Sequence, residues 1–253
     1  MITKRIIPLF LLRGKRLVKG TNFKDFIDVG DPVSQAMIYD AQGAEEVVIV
    51  DIDATREGRL INTDIVREMI EKCRLPIAAG GGIKSLDDAR RCFGAGADKI
   101  VINSQAIIDP ELVKGMADEF GSQSVVASID VKCNMQGNYD VYIFSGTKKV
   151  EVGLEALVER YLEKGVGELI ITSINREGTV SGFDYELYRK LRPIINVPLI
   201  ASGGAGSYDD MVKLFEESDC DGVALGKILC LRDYDIVRIK SYLKGKHVLV
   251  REA

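Results

Sequence analysis

The sequence predicts an α/β protein of the (β/α)8 TIM-barrel type, made by half-barrel duplication. Three observations carry that expectation. Residues 76–88 (PIAAGGGIKSLDD) and 198–210 (PLIASGGAGSYDD) share one plan at an offset of 122 (198 − 76), close to half of the 253 residues. Short apolar runs alternate with helix-start signals eight times along the chain, a pattern that requires right-handed parallel crossovers. The length is that of one closed barrel. We therefore expect a single domain over 1–253, with halves of about 1–122 and 123–253.

The units follow in order. Residues 5–12 (RIIPLFLL) are a continuous apolar run, as in a buried parallel strand. Residues 13–30 are polar and read as a long irregular loop of the kind that covers active sites. Asp31-Pro32 starts a helix, with an N-cap and a proline at the first helical position, and the helix stops near Gly43. Residues 46–52 (EVVIVDI) are the second strand, and Thr63 to Cys73 is a helix. The first glycine stretch supplies the third strand, a tight loop and a helix start. Its Ser85 and Asp88 have capping-box spacing, as do Ser207 and Asp210 in the second copy. Residues 97–103 (ADKIVIN) are the fourth strand, and Asp109-Pro110 opens a helix to about Phe120.

The cycle then repeats. Residues 124–131 (SVVASIDV) are the fifth strand. Residues 133–146 read as a small hairpin insertion turning at Gly137-Asn138. A helix follows from about Gly153 to Lys164. Residues 168–174 (ELIITSI) are the sixth strand, and Asn175 to Gly182 is a polar loop. A helix from Tyr185 leads to the second glycine stretch, residues 220–226 are the eighth strand, and the last helix runs from near Asp233 to about Lys244.

Composition narrows the function. A formal charge of −4 gives no footprint for nucleic acid. No apolar run has the ~18–20 residues of a membrane span, and the N-terminus has no signal-peptide pattern. Five cysteines with no C-x-x-C pair suggest a reducing, cytoplasmic compartment and argue against zinc. His247 is the only histidine and lies near the C-terminal edge, so chemistry built on histidine or a histidine-held metal is not expected. No metal and no cofactor are expected.

Barrel active sites lie at the C-terminal ends of the strands. Asp130 is a carboxylate in an apolar strand end there, which suits an acid–base catalyst. Asp51 ends the second strand and is a candidate for the same work or for orienting a loop. Aligning the halves puts Leu11 where Asp130 stands in the second half. The glycine loops run into helix starts, where free N–H groups suit an anion. One anion site would use Gly82, Asn103 and Ser104. The other would use Gly178, Gly204, Gly226 and Lys227. Two such sites at opposite rims suit an elongated bisphosphorylated small molecule. At the other end of the strands, Arg5, Glu46, Lys99 and Glu168 sit next to apolar runs. They could form an ion-pair ring that plugs or gates the barrel.

Together these stretches resemble a known family. KRII at 4–7, VKGTNF at 18–23, GDPV at 30–33, AAGGGI, ADKIVIN, FGSQ, TSINREGT at 172–179 and ASGGAG are similar to the cyclase subunit of imidazole glycerol phosphate synthase, over nearly the whole chain. The resemblance implies two phosphate sites for a bisphosphate ribonucleotide and a glutaminase subunit docked at the barrel bottom. It further implies ammonia passing upward through a gate of Arg5, Glu46, Lys99 and Glu168. It puts Thr172, Glu177 and Ser202 in the substrate site. It also implies two aspartates that act as acid and base. One falls on Asp130.

The other falls on Leu11, within Phe10-Leu11-Leu12-Arg13-Gly14. A leucine transfers no proton, and loss of one partner of an acid–base pair costs ~10²–10⁴-fold in rate. Glu177 replaces the family's phosphate-loop aspartate, Asn175 a nearby one, and Lys227 a small hydroxyl residue. The expectation drawn here is a divergent paralogue that channels ammonia for amidine formation on a surface-polysaccharide sugar. Its rivals are the histidine-pathway cyclase itself, with Asp130, Asp51 or Lys19 covering the missing acid, and a non-catalytic activator of a glutaminase.

Overall fold

The computed structural model describes residues 3–252. Eight parallel strands close into a barrel: β1 (Arg5–Arg13), β4 (Val47–Asp51), β5 (Ile77–Gly80), β6 (Lys99–Ile102), β7 (Val125–Cys133), β10 (Glu168–Ser173), β11 (Leu199–Ser202) and β12 (Gly222–Leu225). The ring closes because β12 pairs with β1, Arg5 opposite Gly222, and β7 pairs with β10, Asp130 opposite Thr172. The (β/α)8 barrel is therefore the architecture of this chain.

Strand alternation divides the side chains between two compartments. Ile6, Phe10, Leu12, Val47, Ile49, Ile77, Ile100, Val125, Ile129, Leu169, Leu199 and Val223 point outward into one continuous core under the helices. Each such aliphatic side chain contributes ~1.5–3 kcal/mol on burial. Ile7, Val48, Ala78, Val101, Val126, Ile170, Ile200 and Ala224 point inward, one from each barrel strand, as a closed apolar layer. The position two residues earlier on a strand has the same parity. It holds Arg5, Glu46, Lys99 and Glu168.

The surrounding helices start where the sequence signals them. In α1 (Pro32–Ala41) the Asp31 carboxylate accepts the Ser34 N–H at 2.8 Å. In α5 (Pro110–Phe120) Asp109 does the same for Glu111 at 3.2 Å. Ser207 and Asp210 form a reciprocal capping box on α8 (Tyr208–Ser218). In α3 (Leu86–Gly94) Ser85 Oγ accepts the Asp88 N–H, but Asp88 reaches back to the N–H of Lys84 instead. Such caps are worth ~0.5–2 kcal/mol each. Helices α2 (Thr63–Lys72), α6 (Leu154–Glu163), α7 (Tyr185–Leu191) and α10 (Ile236–Gly245) complete the outer ring.

Residues 13–30, expected as an irregular loop, form a hairpin instead. Strand β2 (Arg16–Thr21) runs antiparallel to β1, with Leu12 opposite Leu17, and β3 (Lys24–Gly30) runs antiparallel to β2. Buried Leu17 and Val18 give it an apolar side, and Asn22 and Phe23 turn it with positive φ of 51° and 62°. Its charged exposed residues hide this in the sequence. The expected hairpin after the fifth strand is present. β8 (Tyr139–Ile143) pairs antiparallel with β7, and Gly137 turns at φ 80°. A further strand, β9 (Lys148–Gly153), extends it. Two short helices, α4 (Ser104–Ile108) and α9 (Lys227–Leu231), follow the fourth and eighth barrel strands.

Candidate active site

At the bottom of the barrel the four inward charges meet. Arg5 bonds Glu46 Oε2 at 3.3 Å and Glu168 Oε2 at 2.7 Å, and Lys99 Nζ bonds the same two oxygens at 2.6 and 3.2 Å. The glutamates are buried, while about a fifth of the Arg5 and Lys99 side chains stays exposed. Burial, with Glu168 adding repulsion, pushes the Glu46 carboxyl up from the usual range. The ring closes the bottom, and the apolar layer lies directly inside it. The layer carries no charged side chain, so an ion entering it would lose its hydration.

At the top, the inward parity continues as Leu9 and Leu11 on β1, Val50 on β4, Ser128 and Asp130 on β7 and Thr172 on β10, and all of these line one cavity. Asp130 is 8 % exposed and accepts the Asn103 side-chain N–H at 2.9 Å. Burial raises its pKa to about 7, Glu177 adds to the rise, and the Asn103 bond opposes it. A carboxyl that titrates near neutrality can both give and take a proton. Leu11 stands on the same wall and offers only methyl groups.

The two hairpins roof this cavity. Phe23 and Phe26 from the first and Ser145 from the second line it. Asn22 Nδ2 donates to the carbonyls of Ile174 and Asn175 at 2.7 and 2.9 Å. Ser145 Oγ donates to the Ile52 carbonyl at 2.9 Å, and the Phe144 N–H donates to Ser104 Oγ at 3.0 Å. The tips meet, since a Cβ on Gly146 would lie 2.9 Å from the Phe23 ring. Phe144 and Ser145 have positive φ of 52° and 56°, as Asn22 and Phe23 do, again 122 residues apart (145 − 23). The half-barrel repeat thus extends to the backbone of the lids, although Asn22-Phe23 and Phe144-Ser145 share no sequence, so the sequence alone carries no signal for them. Ser128 was also missed; it lies two residues before Asp130 on the same face.

Asp51 lines the same cavity but has the opposite strand parity. Val48 and Val50 point inward, so Asp51 shares the outward parity of Val47 and Ile49. Its carboxylate takes the N–H groups of Asp53 and Ala54 at 3.1 Å each and both terminal nitrogens of Arg59 at 2.5 and 3.2 Å. Asp51 touches the cavity wall, but these four bonds tie its carboxylate to the loop after β4, an arrangement that suits orienting that loop. Lys19, on β2, is 2 % exposed and donates to the Leu9 carbonyl. Burial lowers its pKa. Glu177 lines the cavity, and burial raises its pKa while Lys19 and Lys227 oppose the rise.

The candidate anion loops lie at the rim. Gly82, Asn103 and Ser104 are on the cavity wall. Gly178, Gly204 and Gly226 lie across the mouth, where Lys227 Nζ donates to Thr21 Oγ1 at 2.7 Å and to the Gly178 carbonyl at 2.9 Å. Ser202 is buried below them, its N–H held by the Tyr188 hydroxyl at 3.1 Å.

Comparison with known proteins adds to this geometry. Residues 5–235 match the family model described as histidine biosynthesis protein. The chain is 42% identical over 253 residues to imidazole glycerol phosphate synthase subunit HisF of Alkaliphilus metalliredigens, covering 99% of this chain and 100% of that one. It is 43% identical over 254 residues to the subunit of that name from Clostridium botulinum strain Langeland, and 39% identical over 252 residues to that from Bacillus subtilis strain 168, with the same coverage.

Proposed function

We propose that this chain, which belongs to the histidine biosynthesis protein family, is the barrel subunit of a synthase of the imidazole glycerol phosphate type. In this reading a glutaminase subunit docks on the bottom face. Ammonia released there passes the ring of Arg5, Glu46, Lys99 and Glu168 and crosses the apolar layer. It adds at the mouth to the formimino bisphosphate ribonucleotide; the C–N bond to the aminoimidazole carboxamide ribonucleotide breaks and that nucleotide leaves, while the remaining fragment, carrying the added nitrogen, closes with loss of water to imidazole glycerol phosphate. Asp130 moves the protons, and the glycine loops hold the phosphate. The observation that carries the reading is one barrel with a charged ring at the bottom, a closed apolar layer above it and a buried carboxyl of pKa about 7 at the top. The relatives' shared name supports the cyclase reading over the sugar-modifying paralogue.

Each role has a stated physical basis. Ammonia is the nucleophile only when unprotonated, and the apolar layer favours the neutral form. Asp130, half ionised near neutrality, is suited to take a proton from the adding nitrogen and return one to the leaving group. The hairpins exclude water, which strengthens every charge interaction beneath them. Asp51, through Arg59 and the N–H groups of Asp53 and Ala54, sets the loop that carries Thr55 to the cavity wall.

One observation favours a second reading. Leu11 faces the cavity where a second proton-transfer group would sit, so cyclase chemistry would rest on Asp130 with a lysine or water as partner. In the second reading the barrel delivers ammonia for amidine formation on a sugar and performs no cyclisation itself. Turnover of the formimino bisphosphate ribonucleotide with ammonium salts, on wild type and Leu11→Asp, separates the two. Brisk wild-type turnover supports the cyclase. Turnover gained only in Leu11→Asp means that the scaffold binds this substrate and lacks one acid. No turnover in either sinks the cyclase reading and leaves the sugar route to be tested.

A further inference from the structure

We propose that Glu177 is the second proton-transfer group of the cavity, the partner that Leu11 cannot be for Asp130. This rests on the cyclase reading and deepens it by naming Glu177, rather than a lysine or water, as that partner.

Among the described residues, three carboxylates line this cavity: Asp51, Asp130 and Glu177. Asp51 is tied by Arg59 and by the N–H groups of Asp53 and Ala54. Glu177 is as buried as Asp130, 9 % against 8 % exposed. It follows β10, on which Thr172 stands opposite Asp130, and the Ser173 carbonyl holds its N–H at 2.9 Å. The first hairpin covers it. The Asn22 N–H donates to the Glu177 carbonyl at 2.9 Å, and the Phe23 N–H to Glu177 Oε2 at 3.4 Å. The second bond is long, so the carboxylate keeps acceptor capacity for a substrate N–H. The nearby lysines are engaged elsewhere, Lys19 with the Leu9 carbonyl and Lys227 with Thr21 Oγ1 and the Gly178 carbonyl.

The groups that face the two carboxyls differ. Glu177 faces the ammonium of Lys19 on β2, which has the Cys230 thiol beside it, and that of Lys227 on α9. Both cations favour its ionised form, against burial. Asp130 faces the Asn103 amide and the Glu177 charge, and that charge joins burial in favouring its protonated form. Two carboxyls in one cavity, pushed towards opposite forms, divide into a base and an acid. Glu177 is the base and Asp130 the acid. As the ammonia nitrogen bonds to carbon, its excess proton passes to Glu177. As the C–N bond to the departing nucleotide breaks, the electron pair stays on that nitrogen and Asp130 gives it a proton. A proton returned from Glu177 to Asp130 resets the pair, so the carboxyls gain and lose none over the step.

The test is ammonium-dependent turnover of the formimino bisphosphate ribonucleotide by the whole chain across pH. The proteins are wild type, Glu177→Gln, Glu177→Asp, Leu11→Asp and the double variant Leu11→Asp with Glu177→Gln. Glu177→Gln should lower kcat ~10²–10⁴-fold with KM little changed, and should lose the acidic limb of the profile. Its basic limb should move to lower pH, because a neutral amide no longer repels the Asp130 charge. Glu177→Asp should restore part of the rate, and so should Leu11→Asp in the Glu177→Gln background, by supplying a carboxylate from β1. A Glu177→Gln protein that keeps the wild-type kcat and acidic limb, or that raises KM alone, overturns the inference and leaves the cyclase reading standing. If Glu177→Gln does not bind the substrate, Glu177→Asp decides: a lowered kcat with a shifted acidic limb supports the inference, and an unchanged profile overturns it. An inactive wild type overturns the inference alone if Leu11→Asp turns over, and together with the cyclase reading if it does not.

Discussion

The Asn103 side-chain amide donates to Asp130 Oδ2 at 2.9 Å, joining the ends of two neighbouring barrel strands. This bond favours the charged carboxylate and works against the burial that lifts its pKa to about 7. Asn103→Leu should therefore raise the Asp130 pKa further. Carboxyl-carbon NMR across pH reads the shift, and an unmoved or lowered midpoint would show that Asn103 does not hold the proton equilibrium.

Asp130 also predicts how stability varies with pH. Its folded pKa, about 7, lies above the ~3.9 of an unfolded aspartate, so the folded state binds the proton more tightly. The resulting stabilisation is fully present below ~pH 4 and is lost as pH rises through 7. The loss proceeds at up to ~1.4 kcal/mol per pH unit. Asp130→Asn cannot titrate, so its stability relative to wild type should rise between pH 4 and 7. Urea unfolding at a series of pH values checks this; parallel curves for the two proteins contradict it.

In the bottom ring, Lys99→Met leaves two buried glutamates with Arg5 as their only ring cation. Breaking one partner out of a buried pair costs ~3–5 kcal/mol, and the remaining arginine puts the expected loss near the lower end. The Glu46 carboxyl, already raised by burial and by Glu168, should rise further. Chemical denaturation at neutral pH and again at pH 5 reads both effects. The deficit should shrink at the lower pH as Glu46 takes up a proton.

Gly146 has φ 74°, and a side chain there would meet the Phe23 ring at 2.9 Å. Gly146→Ala should cost ~1–2 kcal/mol in the left-handed conformation and push the first hairpin away. Hydrogen exchange in residues 16–30 should then quicken although the substitution lies more than a hundred residues away. Quickening confined to residues 139–153 would show that the two lids move independently.

Much of this molecule is written locally. Alternating apolar runs, caps such as Asp31 and Ser207, and a repeat of 122 residues specify eight strand–helix units. Strand parity alone then puts Arg5, Glu46, Lys99, Glu168, Leu11 and Asp130 inside the barrel, because successive side chains must point to opposite faces. The same rule, applied to Val48 and Val50, gives Asp51 the outward parity, which suits the loop-orienting role already open to it in the sequence. The long-range pairings were decided by the tertiary structure. Strand β2 reads as polar because half of its hairpin faces water, and its pairing with β1 depends on Leu17 and Val18 finding cover. Asp51 is bound by Arg59, Asn22 reaches carbonyls 152 and 153 residues away, and Lys227 ties Thr21 to Gly178. Side chains as long as arginine and lysine reach several neighbours from one backbone position. Their partners follow from which loops the closed barrel brings to the same rim.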